Sequence, residues 1–264
     1  MTTPYLALVR NVTDAITECE LTHLAREPID VARARQQHAA YEALLRTLGC
    51  AVEVIPAPND QPDAVFIEDT ALVFDELAVI TRPGASSRRA EVGPVADRLA
   101  RERALVRLEA PATLDGGDVF RSGKSVFAGE TSRTNAAGIA ALRAALAPHG
   151  YSVTAVPVTG CLHLKSAATE AAPGLVLVNP AWVDPAAFAG LETLPVDPAE
   201  PGAANVLRIG PALVQDAAYP RTRAALERRG LPVHPVDLSE LAKAEGAVTC
   251  CSLIVARGYL PTSL

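Results

Sequence analysis

Cys250 follows a glycine-containing turn, Glu245-Gly246-Ala247-Val248-Thr249-Cys250-Cys251-Ser252, and opens an apolar run. A cysteine there can stand at a sheet edge, where its thiolate is a nucleophile once a base or a cation favours ionisation. Most cysteines are buried and inert, so the position alone leaves both readings open. His163 sits in Cys161-Leu162-His163-Leu164-Lys165-Ser166. It is a general acid/base if a carboxylate orients its ring, and a satisfied core histidine otherwise. The stretch Pro62-Asp63-Ala64-Val65-Phe66-Ile67-Glu68-Asp69 carries three carboxylates beside Val65, Phe66 and Ile67. In an extended chain Asp63 and Asp69 share a face, which suits a pocket for a cation or a polar strand end. In Thr113-Leu114-Asp115-Gly116-Gly117-Asp118-Val119 the paired glycines by themselves read as a hairpin turn.

Together these segments point one way. A thiol, a histidine and an orienting carboxylate make an activated nucleophile. Further carboxylates suit a guanidinium, whose planar donors pair bidentately with them and whose charge persists near neutral pH. A carbon flanked by three nitrogens is a poor electrophile, and needs to be held in place and attacked by a strong nucleophile.

These residues must be positioned by a folded α/β chain. The 264 residues are 49% hydrophobic and 20% charged, with net charge −6. That is enough for a sizeable core. Lysines and arginines are scattered, so no basic stripe marks a nucleic-acid partner. The start, Met1 to Ala7, lacks the basic and apolar runs of a signal peptide, and no apolar stretch reaches the roughly 18 residues of a membrane span. We expect a cytoplasmic protein with no membrane partner. Five cysteines without a CxxC spacing fit free thiols rather than a disulfide framework or a structural zinc site.

Hydrophobic patterning predicts strands over 5–9, 52–55, 71–74, 77–81, 153–156, 175–178, 206–209, 212–214 and 252–256, and a hairpin over 119–127. Asp30 caps a predicted helix to Leu48 with Val31, Ala34, Tyr41, Leu45 and Leu48 on one face and Gly49 as terminator. Helices are expected near 88–101 and 134–146, and from Pro220 to Gly230, with Ser239 capping a short turn. The helix starts recur at loose multiples of about 50 residues, which hints at repeated ββαβ units. No GxGxxG follows the first strand, so a dinucleotide-binding fold has no support. No long polar linker divides the chain, and we expect one domain over 1–264.

In these segments the chain resembles dimethylarginine dimethylaminohydrolases, of the guanidine-modifying pentein superfamily. Beyond those quoted, the matching stretches are Val31-Ala32-Arg33-Ala34, Thr81-Arg82-Pro83-Gly84-Ala85 with Ser87-Arg88-Arg89, Arg133-Thr134-Asn135 and Ala203-Ala204-Asn205. They occur in order over almost the whole chain. The resemblance implies a five-bladed α/β-propeller of ββαβ units with pseudo-fivefold symmetry. It implies hydrolysis of asymmetric dimethylarginine or monomethylarginine to citrulline and an amine, with no metal or organic cofactor. Position by position, it makes Cys250 the nucleophile, His163 the acid/base and Asp115 its orienting carboxylate. Glu68 and Asp69 would hold the guanidinium. Asp63 and the carbonyls of Leu21 and Ala244 would bind the α-amine, and Arg88 and Arg133 the α-carboxylate. Leu21 would lie in a lid. Because thiolate and imidazole are good zinc ligands, an inhibitory zinc ion is expected at Cys250 and His163. The nearest alternative is another guanidine-modifying pentein activity such as arginine deiminase, whose usual added helical domain has no counterpart in these segments.

Overall fold

In the computed structural model, which describes residues 4–257, one local pattern recurs five times. An inner strand pairs antiparallel with a middle strand, and a crossover leads to a third strand parallel to the middle one. The first unit holds β1 (Tyr5–Val9), α1 (Val31–Thr47) and β2 (Cys50–Val54). The second holds β3 (Ala71–Val73), β4 (Leu77–Ile80), α2 (Val92–Leu99) and β5 (Ala104–Arg107). The third holds β6 (Val119–Ser122), β7 (Ser125–Glu130), α3 (Ala136–Leu146) and β8 (Ser152–Pro157). A short α4 (Leu164–Ala167) leads into the fourth, β9 (Ala168–Ala172), β10 (Leu175–Val178) and β11 (Glu192–Pro195). The fifth holds β12 (Val206–Ile209), β13 (Ala212–Asp216), α5 (Pro220–Arg228) and β14 (Val233–Val236). After α6 (Ser239–Ala242), β15 (Leu253–Ala256) returns to pair antiparallel with β1, with Leu6 opposite Val255. β15 is thus the inner strand of the first unit and closes the ring. This is the pentein α/β-propeller.

The helix ends follow local chemistry. Asp30 accepts a hydrogen bond from Arg33 N at 3.0 Å, and Asn135 from Gly138 N at 2.7 Å, each satisfying an orphan first-turn amide. Gly49 ends α1 with φ +91°. Ile139, Leu142 and Leu146 of α3 pack on Val126 and Ala128 of β7, and burying each large side chain contributes about 1.5–3 kcal/mol. The inner strands β3, β6, β9, β12 and β15 all line an axial cavity of about 240 Å3.

Several expectations needed adjustment. The helix expected near 88–101 divides into a 3-10 turn, Ser86–Glu91, and α2. Ser239 lies in the first turn of α6 rather than at its cap, with its amide donating to Asp237 Oδ1 at 3.0 Å. The fourth unit crosses over through the 3-10 turn Pro185–Phe188 instead of an α-helix. Strands β5, β9, β11 and β14 were not anticipated. Three of these are third strands paired on one side only, and Ala104–Arg107 is mostly exposed, so the apolar alternation that betrays a strand is missing. No helix among the described residues is long and apolar enough to cross a membrane.

Candidate active site

The segment entering each inner strand brings polar side chains to one end of the axis. Glu68 and Asp69 precede β3, Asp115 and Asp118 precede β6, His163 and Lys165 precede β9, Asn205 precedes β12, and Thr249 and Cys250 precede β15. Residues nearly 50 or 100 apart in sequence therefore meet because they occupy equivalent places in successive units.

His163 is buried, and its Nε2 donates to Asp115 Oδ2 at 3.0 Å, with Asp69 Oδ1 3.9 Å away. Burial pulls the imidazole towards the neutral form, but the charges of Asp69, Asp118 and Asp115 outweigh it, and the pKa is pushed up to about 9. Asp115 Oδ1 also accepts from Gly84 N at 2.8 Å, which fixes the carboxylate that holds the ring. Asp118 accepts from Leu164 N at 3.0 Å and from the hydroxyls of Thr131 and Thr134 at 2.7 and 2.6 Å, anchoring the residue after His163. Burial raises Asp118 to about 6. The paired glycines are not a hairpin turn. They form the 3-10 turn Gly116–Asp118, where a Cβ on Gly116 would lie 2.0 Å from Glu68 O, and one on Gly117 would lie 2.6 Å from His163 Nδ1. Glycine is required there for close approach.

Cys250 is partly exposed and faces a small cavity of about 20 Å3, shared with Asp63, Asp69, Arg88, Arg133 and His163. Burial and the negative charges of Glu68 and Asp69 push its thiol up to about 12. Cys251, by contrast, is fully buried in the first core cluster. The site is thus a resting thiol beside an imidazolium, among carboxylates: a place that favours an incoming cation.

Asp69 accepts from Gly117 N at 2.9 Å and pairs with Arg88. Burial opposes its ionisation, but His163, Arg88 and the Gly117 amide hold it below the usual carboxylate range. Arg88 is heavily engaged. Its Nε and one terminal nitrogen reach Glu91 at 3.2 and 2.8 Å, and the latter also donates to the carbonyls of Asp63 and Phe66. It therefore shapes the turn that presents Asp63 and Asp69. Arg133 is freer, donating to Thr22 Oγ1 at 3.1 Å. Asp63 accepts from Glu20 N and, through burial, rises to about 6. Ala244 is buried and lines the cavity.

One expected residue stands elsewhere. Glu68 does not line this cavity; it bonds Lys165 Nζ at 2.6 Å and Thr249 Oγ1 at 2.7 Å, and faces the axial cavity behind. The side chain of Leu21 packs against the first core cluster, while its neighbour Glu20 lines the cavity. The group of three metal-competent side chains gathered among the described residues is Asp69, Asp115 and His163, without Cys250. A zinc ion shared by Cys250 and His163 with a carboxylate would need side chains to move, because the imidazole Nε2 is turned to Asp115. Sequence reasoning missed Glu91, Asp118, Lys165 and Glu245. Asp118, Lys165 and Glu245 lay inside segments already singled out, whereas Glu91 carries no local signal.

A guanidine-modifying pentein is the class of protein that this fold and this constellation define. The family model for eukaryotic N,N dimethylarginine dimethylhydrolase matches residues 5–167. The chain is 44% identical over 250 residues to the N(G),N(G)-dimethylarginine dimethylaminohydrolase of Streptomyces coelicolor, covering 94% of this chain and 95% of that one. It is 35% identical to the enzyme of the same name from Pseudomonas aeruginosa, covering 92% and 95%. A cysteine-to-serine variant of the Pseudomonas aeruginosa enzyme, complexed with citrulline, superposes with a TM-score of 0.90 at 33% identity over 94% of this chain and 98% of that one. The chain belongs to the dimethylarginine dimethylaminohydrolase family.

Proposed function

We propose that this protein hydrolyses methylated arginines to citrulline and methylamine or dimethylamine through Cys250, His163 and Asp115. The observation that carries the reading is the partly exposed thiol of Cys250 facing the same small acidic cavity as the His163–Asp115 pair. The substrate's guanidinium enters among carboxylates, with Asp69 at the cavity wall and Glu68 behind it. Its positive charge offsets the carboxylate field that holds the thiol protonated, so Cys250 ionises, releasing its proton to solvent, and attacks the guanidinium carbon. Protonated His163 gives its proton to the departing amine as the C–N bond breaks, leaving an S-alkylthiouronium. Neutral His163 then takes a proton from water, which adds to the same carbon. The C–S bond breaks as the hydroxyl of the tetrahedral centre gives up its proton to the departing sulfur, which releases citrulline and returns Cys250 to its resting thiol. Asp63 and the carbonyls of Ala244 and Leu21 receive the α-amine, and Arg133 with Arg88 the α-carboxylate.

On this reading residues 1–264 act as one catalytic domain in the cytoplasm, on a small molecule, without nucleic acid, membrane or required metal. The test is mass spectrometry of products after incubation with asymmetric dimethylarginine, monomethylarginine and arginine. Citrulline from the methylated substrates is expected. Citrulline from arginine alone would assign the chain to an arginine deiminase activity instead.

A further inference from the structure

Residues 20–28 make no backbone–backbone hydrogen bond among the described residues. Side chains from elsewhere hold the segment. The Asp63 carboxylate accepts from Glu20 N at 3.2 Å, Arg133 donates to Thr22 Oγ1 at 3.1 Å, and Lys243 Nζ donates to Pro28 O at 3.0 Å. The densest contact is made by Glu245, whose carboxylate accepts from the consecutive amides of Thr22, His23 and Leu24 at 3.1, 2.5 and 2.7 Å. Successive amides converging on one anion form a nest, and each bond is charge-assisted. Glu245 adopts φ +58°, uncommon for a residue other than glycine. It follows Ala244 directly, precedes Cys250 by five positions and lines the cavity.

With this clamp in place the cavity measures about 20 Å3, against roughly 300–1,000 Å3 for ordinary ligand pockets. Glu20 of the segment and Glu245 both stand in the cavity wall, so the segment must shift to admit a substrate and settle again around it. We infer that Glu245 is the latch: a positioning residue that fastens residues 22–24 over the bound amino acid and so holds the Leu21 carbonyl against its α-amine. The inference rests on the substrate assignment above. It also explains the placement of the latch beside Ala244, since the turn that receives the amine is the turn that secures the segment.

The test follows amide hydrogen exchange of residues 22–24 in the full chain, as wild type, Glu245→Gln and Glu245→Ala, alongside KM and kcat for asymmetric dimethylarginine. In Glu245→Ala these amides should exchange about tenfold faster, the loss of roughly one net hydrogen bond. KM should rise by a similar factor, with the loss carried by KM rather than kcat. Glu245→Gln should fall between, because one carbonyl oxygen still accepts. Unchanged exchange in Glu245→Ala would overturn the latch, and faster exchange with unchanged KM would overturn its role in holding substrate. The exchange measurement needs no turnover, so a failure of the latch and a failure of the hydrolysis reading are separately visible.

Discussion

Replacing Asp115 by Asn should lower the pKa of His163 and draw in the alkaline limb of activity. The substitution keeps the shape of the side chain, and its oxygen can still accept from Gly84 N, now 2.8 Å from Asp115 Oδ1. What it removes is a negative charge 3.0 Å from Nε2. Raising the imidazole from 6.5 to about 9 corresponds to about 3 kcal/mol. Three carboxylates, Asp69, Asp118 and Asp115, supply that against burial. Removing one should lower the midpoint by about one pH unit, or about 1.4 kcal/mol. The protonated imidazole is the acid for the leaving amine, so kcat should begin to fall about one pH unit earlier on the alkaline side. The midpoint can be read by NMR titration of labelled histidine, with His163→Gly identifying the resonance among the five histidines. A midpoint that stays in place or rises in Asp115→Asn would refute the carboxylate field as its cause.

Cys250→Ser should abolish turnover, because a hydroxyl offers no comparable anion near neutral pH; Cys251→Ser, at a site turned into the core, should lose stability before it loses chemistry, as thermal melts and single-turnover assays would show. Arg133→Ala should raise KM for amino-acid substrates far more than for a decarboxylated analogue, with little change in melting temperature. Arg88→Ala should also destabilise the fold by about 3–5 kcal/mol, since it strands the buried carboxylates of Asp69 and Glu91; equal stability of the two variants in denaturant titration would contradict this. The folded pKa of His163 lies above its unfolded value, so its contribution to stability is fully present below about pH 6.5 and is lost as pH rises through about 9. Denaturation midpoints should fall across that window, and less so in His163→Gly.

Much of this protein was legible in its residues one segment at a time. The cap of Asp30, the apolar face of α1, the strands 175–178 and 206–209 and the stop at Gly230 are local matters, decided within a turn or a pleat by capping, periodicity and positive φ. The reactive types were legible as well, since a cysteine behind a turn, a histidine and clustered carboxylates announce their chemistry wherever they stand. The sequence did not decide which of them meet. Asp115, His163 and Cys250 converge because each lies on a segment entering an inner strand, and a ring of five units points those segments at one mouth. Charge and burial at that mouth are sums over the whole ring, which is why His163 rises and the Cys250 thiol rises with it. The same reason hid the edge strand Ala104–Arg107, which has a place only beside β4. It separated Glu68 from Asp69, neighbours in the chain that face different cavities. And it concealed Glu245, whose carboxylate meets amides more than 200 residues away; no local pattern encodes that contact, because only closure of the first unit by β15 brings the two ends of the chain together.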